Sequence, residues 1–266
     1  MKKIFHRSLA AASIALIAGT ASAGITNTPH NLTATGPGPN KQSTTQQICV
    51  FCHTPHAANT AVNAPLWNKG LPPTTYTTYS TANSNTIDGA VLTVGSVSAA
   101  CLSCHDGTQA MDNLVNAPGS GGLVVGGSNR NYTWTTGANK ITGVANLQPD
   151  LTNDHPIGIQ YCGGGLTGTG TTVNGTCNDK DFKLPVTKTI NGVQVFWVDT
   201  SVANNTREKT DMILYTRTFT GAQTGPSVEC ASCHDPHSDK AATGSDVNFM
   251  RVTTSGSKIC LSCHVK

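Results

Sequence analysis

The chain has 266 residues, only 12% of them charged, and a formal net charge of +3. Leu, Ile, Val and Phe together make up just under a fifth of it, too few for an ordinary packed core without help from another group. The weak charge excludes the basic footprint of a nucleic-acid binder. Against this thin background, ten cysteines and nine histidines stand out.

Residues 1–23 read as an export signal. Lys2, Lys3 and Arg7 form a basic start, Leu9 to Ala18 a short apolar stretch, and Ala21-Ser22-Ala23 a cleavage site of the A-x-A kind. The mature chain is then expected to begin at Gly24, outside the cytoplasm. The apolar stretch is too short to span a bilayer and no other long one follows, so no membrane span is expected. Cleavage removes three cations and takes the formal charge from +3 to zero.

Eight of the ten cysteines fall into four copies of one pattern. They are Cys49-Val-Phe-Cys52-His53, Cys101-Leu-Ser-Cys104-His105, Cys230-Ala-Ser-Cys233-His234 and Cys260-Leu-Ser-Cys263-His264, hereafter motifs 1 to 4. C-x-x-C-H is the attachment signature of c-type haem. Two thiols three positions apart lie on one face of a helical turn and can each bond a vinyl group of one porphyrin. The following histidine then reaches the iron from the proximal side. Zinc ribbons, thioredoxin-like pairs and disulfides also use C-x-x-C, but none requires a histidine after every second cysteine. Four covalently bound haems are therefore expected.

Cys162 and Cys177 remain, flanking a Gly/Thr-rich loop. In an oxidising compartment a local disulfide is the simplest reading, with two free buried thiols as the alternative.

Apart from His6 in the signal and the four motif histidines, four others remain: His30, His56, His155 and His237. Four haems need four distal ligands, so the count predicts bis-histidine iron throughout. Met111, Met212 and Met250 are available as substitutes but none is required. His56 and His237 each follow a proximal histidine by three residues, in C-H-T-P-H and C-H-D-P-H. Side chains at that spacing lie side by side, about 5–6 Å apart, and cannot take opposite faces of one porphyrin. Each must serve another haem, and the spacing of the motifs suggests pairing first with second and third with fourth. His155, in Asn-Asp-His-Pro-Ile-Gly, suits a ligand joining the two pairs. His30 lies close to the mature N-terminus, a segment poorly ordered unless tied down, and could ligate a haem of its own chain or of a neighbour.

Along the chain, residues 24–115 carry the first haem pair and a Pro/Thr-rich loop from Leu71 to Asn85. Residues 116–225 form a Gly/Thr-rich stretch without the motif, with β-like runs at Val193–Val198 and Ile213–Tyr215. Residues 226–266 carry the second pair. The expected fold class is a multihaem cytochrome c: mostly irregular loops, short helical turns at the motifs and a few β-strands, with the haems as core. Trp67 and Trp134 are expected against haem edges or within the core.

Taken together, C-V-F-C-H-T-P-H followed by Pro65-Leu66-Trp67-Asn68, C-L-S-C-H-D-G-T, N-D-H-P-I-G, C-A-S-C-H-D-P-H and the terminal C-L-S-C-H resemble the secreted multihaem cytochromes of metal-reducing bacteria. They are especially similar to the tetrahaem outer-membrane cytochromes that polymerise into extracellular filaments, the OmcE type of cytochrome nanowire. The likeness is weakest in residues 116–225. It implies bis-histidine haems in a continuous chain through a homopolymer, with one distal histidine donated by the adjacent subunit, here His30. It also implies extracellular or cell-surface localisation, with the periplasm as alternative, and electron donor and acceptor proteins or extracellular minerals as partners.

Six-coordinate iron has no open site for a substrate, so electron transfer rather than catalysis is expected. A soluble periplasmic tetrahaem carrier is the alternative within that class. A multihaem reductase would need a five-coordinate haem, and no C-x-x-C-K is present. A filament merely stapled by haem is the remaining reading.

Overall fold

The computed structural model describes residues 24–80, 84–119, 124–200, 204–238 and 249–265. The expected export signal and its cleavage site lie outside these residues, as do positions 81–83 of the Pro/Thr-rich loop. Irregular backbone predominates, with short helices at the motifs and small antiparallel sheets. Among the described residues no helix is long and apolar enough to cross a membrane.

The first half is built from small pieces. Strand β1 (Lys41–Gln42) pairs with β4 (Trp134–Thr136), and β2 (Asn113–Leu114) with β3 (Ser128–Asn129). This half has two small apolar clusters among the described residues. Val50, Phe51 and Leu114 form one, with Leu32 and Tyr132 against it; Val62, Trp67 and Ala100 form the other, with Cys52 against it. Much of the remaining order comes from buried polar side chains bonded to backbone, which preserves their hydrogen bonds away from water. Asn31 is fully buried, donating to Thr26 O at 2.8 Å and accepting from the Thr33 backbone and hydroxyl. Asn68 bridges Val50 O and Asn116 O, each at 2.7 Å. Lys69 is buried with its Nζ on Ala110 O and Met111 O.

The longest helix, α1 (Ser96–His105), carries motif 2. Its end is written in C-H-D-G-T. Gly107 takes the left-handed conformation (φ +70°) that a helix terminus favours, and a Cβ there would collide with the Asn146 side chain. Asp106 then accepts the Thr108 backbone N–H at 2.9 Å.

The second half has a five-stranded antiparallel sheet. Its order is β5 (Ile159–Gln160), β11 (Thr224–Val228), β10 (Met212–Thr218), β9 (Val193–Val198), β8 (Val186–Ile190). The expected runs at 193–198 and 213–215 are the two adjacent strands β9 and β10, in register from Met212↔Val198 to Leu214↔Phe196. β8 and β9 close on Asn191-Gly192, both at positive φ (50° and 78°), the residue pair a type I′ hairpin turn requires. A hairpin of β6 (Leu166–Thr169) and β7 (Thr172–Gly175) folds beside it. Tyr161, Leu166, Phe196, Val198, Met212 and Leu214 pack into one cluster with the disulfide Cys162–Cys177, whose Cα atoms are 5.3 Å apart.

Residues 116–225 contribute to both halves. Their first part completes the sheets around motif 1, and their last part is the floor on which Cys233, Ile259 and Cys263 pack. Strand β11 runs directly into motif 3 through Glu229. The halves meet where Leu92 N donates to Gly158 O and Gln160 N to Ala90 O, both at 2.8 Å.

Candidate haem-binding site

In motifs 1, 3 and 4 the chain makes one tight turn that ends with the histidine. His53 N donates to Cys49 O at 2.8 Å, His234 N to Cys230 O at 3.1 Å and His264 N to Cys260 O at 2.9 Å. This closure puts both cysteines and the histidine on one side of the turn. Motif 1 uses a 3₁₀ turn (Ile48–Phe51), motif 3 the short helix α2 (Cys230–Cys233) and motif 4 the helix α3 (Lys258–Cys263). Each of these histidines then enters an antiparallel bridge: His53 with Trp67, His234 with Met250 and His264 with Phe182. In motif 2, Leu147 N bonds His105 O at 2.7 Å.

Backbone carbonyls hold four of the histidine rings. Nδ1 of His53 donates to Pro65 O at 2.7 Å, and that of His105 to Ala145 O at 2.8 Å. Nδ1 of His30 reaches Pro236 O at 3.3 Å, and that of His155 reaches Pro156 O at 3.0 Å. A carbonyl can only accept, so Nδ1 carries the proton and Nε2 keeps the lone pair for a metal.

Two pairs of histidine rings lie close together. The centroids of His53 and His237 are 6.0 Å apart with planes at 14°, and those of His30 and His105 are 6.2 Å apart with planes at 73°. A metal–imidazole bond of about 2 Å on each side, plus half of each ring, separates the centroids of a trans pair by about 6 Å. The two centroid distances match that spacing, so His53 with His237 and His30 with His105 are the residues that would hold an iron as histidine pairs. Phe249 stacks on His30 at 4.2 Å. Burial, then the neighbouring His105, lowers His30 to about 4, so the ring stays neutral, the form that binds a metal. Among the described residues no group of three or more His, Cys, Asp or Glu side chains is arranged to hold a metal ion by itself, as a zinc site would.

Thiols of neighbouring motifs influence one another. Cys101 and Cys230 interact directly, raising the first thiol and lowering the second. Burial, then Cys104, pushes Cys52 up to about 12. Burial, then Cys230, raises Cys233 to about 11, and burial, then Cys233, raises Cys263 to about 12. Motif 2 thus meets motif 3 through Cys101 and Cys230, and Cys233 of motif 3 and Cys263 of motif 4 pack against one apolar cluster.

A buried polar network sets the contact between motifs 2 and 3. Glu229, 1% exposed, caps α2 in a reciprocal box with Ser232 and accepts Arg217 Nη1 at 2.7 Å. Its other oxygen accepts Ser98 Oγ of α1 at 2.5 Å, and Ser98 Oγ accepts Cys230 N at 3.0 Å. Nothing in hydrophobic periodicity marks Glu229. The available signal was E-C-A-S, an acidic cap followed by a serine three positions later.

Other expected residues fall as follows. His56 and His155 are exposed and neither faces another histidine ring. The facing rings link motif 1 to the bracket of motif 3, across the expected first-with-second and third-with-fourth division. For His30 the sequence left its own chain or a neighbour open, the resemblance implying a neighbour; its ring centroid lies 6.2 Å from that of His105 of its own chain, in a segment where Thr28, Asn31 and Thr33 are buried. Met111 and Met212 are buried in the apolar interior. Trp67 packs in the core edge-on to His53, at 6.2 Å, and its buried indole Nε1 has no hydrogen-bond partner in the protein.

A family profile described as the doubled C-x-x-C-H motif matches residues 224–266, which contain motifs 3 and 4. No curated protein matches the chain. The motifs indicate covalent binding of haem c, and the class they suggest is the c-type multihaem cytochromes, with electron transfer as the associated function.

Proposed function

We propose that the protein carries electrons through four covalently attached haems, one on each motif, each iron held between two histidines. Cys49 and Cys52, Cys101 and Cys104, Cys230 and Cys233, and Cys260 and Cys263 form the thioethers. His53, His105, His234 and His264 are the proximal ligands, and His30, His56, His155 and His237 the distal ones. The observation that carries this reading is the pair of facing imidazoles about 6 Å apart, each with one ring from a C-x-x-C-H motif. Haem supplies a one-electron couple. The chain would supply two histidine nitrogens to each iron, carbonyls that fix the rings of His30, His53, His105 and His155, and a direct contact between motifs 2 and 3 through Cys101 and Cys230. Two histidines holding each iron would leave no place for a substrate there, so in this reading the protein acts as a carrier and not as an enzyme. Bis-histidine ligation avoids the rise in potential that methionine brings.

In this proposal the protein is exported and serves as a subunit of an extracellular conductive filament of the OmcE type, passing electrons to external proteins or minerals. The resemblance of the motif set supports this reading. A second reading, a monomeric periplasmic carrier, is favoured by the position of His30 inside its own chain. Electron micrographs of secreted material decide between them: filaments whose subunits each carry four haems support the first, and monodisperse particles at every concentration support the second. The ferric spectrum tests catalysis, since a high-spin component in the intact protein would reveal an open iron.

A further inference from the structure

We propose that His237 is the distal ligand of the haem on motif 1, that His30 is the distal ligand of the haem on motif 2, and that the two irons are electronically distinct because their imidazole planes differ in angle. The inference rests on the bis-histidine reading above and deepens it by assigning individual ligands.

The assignment follows from position. His237 lies opposite His53 at 6.0 Å, and His30 opposite His105 at 6.2 Å. His237 belongs to the bracket of motif 3, three residues from His234, and at that spacing it cannot share a porphyrin with His234. The bracket therefore ties the haem of motif 3 to that of motif 1. His30 is held to the same bracket, since its Nδ1 reaches Pro236 O at 3.3 Å and Phe249, beside motif 3, stacks on its ring at 4.2 Å. One segment, 234–237, thus fixes the distal side of two haems attached to other motifs. His56 and His155 remain for motifs 3 and 4.

The plane angles give the assignment a signature of its own. In low-spin ferric iron, each imidazole raises the d orbital that matches its π system. Nearly parallel planes, at 14°, raise the same orbital and split the pair widely, which gives a rhombic EPR spectrum. Nearly perpendicular planes, at 73°, raise both and leave them close in energy, which gives a highly anisotropic spectrum with one very large g value.

The test is EPR of the fully oxidised holoprotein and of His237→Gly and His30→Gly, with haem content measured by mass. His237→Gly is expected to remove one haem's worth of rhombic signal, and His30→Gly one haem's worth of the highly anisotropic signal. Each loss should be replaced by a high-spin signal and restored by added imidazole, which shows that the fold survived. If a glycine variant does not fold, His237→Met and His30→Met keep a sixth ligand; each should raise the potential of one haem and abolish only its own class of signal. In a Cys49→Ala/Cys52→Ala chain, His237→Gly should change nothing further, whereas His30→Gly should still remove the anisotropic signal. Exchanged responses, low-spin intensity unchanged in either variant, or an additional loss on His237→Gly in the chain without the first haem would overturn the assignment. A wild-type mass with fewer than four haems would instead refute the proposed function, because the ligand assignment is read per haem present.

Discussion

The two halves of the molecule hold their motifs by different means. Around motifs 3 and 4 a five-stranded sheet covers a cluster of eight buried residues that includes a disulfide. Around motifs 1 and 2 the sheets have two strands each, and the apolar clusters have three buried residues each. There, buried Asn31, Asn68 and Lys69 hold loops by hydrogen bonds to carbonyls, which contribute little net stability although leaving them unmade is costly. The difference leads to the expectation that protein alone can hold the second half, whereas the first would depend on the apolar area a porphyrin brings.

The largest effect should therefore come from withholding haem. In a chain produced without haem attachment, amide hydrogen exchange should remain slow in Val193–Val198 and Met212–Thr218 and become fast across residues 24–115. Equal protection in both halves would break the comparison. Next in size is Glu229→Ala, which leaves Arg217 unpaired and removes the link between Ser98 and α2. Loss of one partner of a buried ion pair costs about 3–5 kcal/mol, and denaturant titration should show most of it as separation of motif 2 from motif 3. Cys162→Ala/Cys177→Ala should cost about 3 kcal/mol on the chain-entropy model, with the loss confined to the second half. Gly107→Ala, at φ +70° against Asn146, should cost about 1 kcal/mol or somewhat more and act on motif 2 alone.

The motifs, the disulfide pair and the strand at 193–198 were legible because each is a local pattern. The partner strand Val186–Ile190 was equally legible through Asn191-Gly192, a hairpin signal that the sequence reading passed over. The position of His30 was not, because the segment around it is buried through the polar residues Thr28, Asn31 and Thr33, which hydropathy treats as surface. Spacing argues against His237 serving the haem of His234, but spacing alone cannot choose among the other three. That choice depends on how Glu229, Ser98 and Arg217 dock α2 against α1, a contact between residues more than a hundred positions apart.

The holoprotein should also be more acidic than its polypeptide. A mature chain near neutrality that gains eight propionates approaches a charge of about −8 when all are ionised, and isoelectric focusing of the purified protein checks the sign.

The central claim is that four irons are each closed between two histidines. The most direct measurement is the mass of the secreted protein together with its ferric spin state. The account predicts four haems added to the polypeptide and wholly low-spin iron. A mass short of four haems, or a high-spin signal in the intact protein, would contradict it.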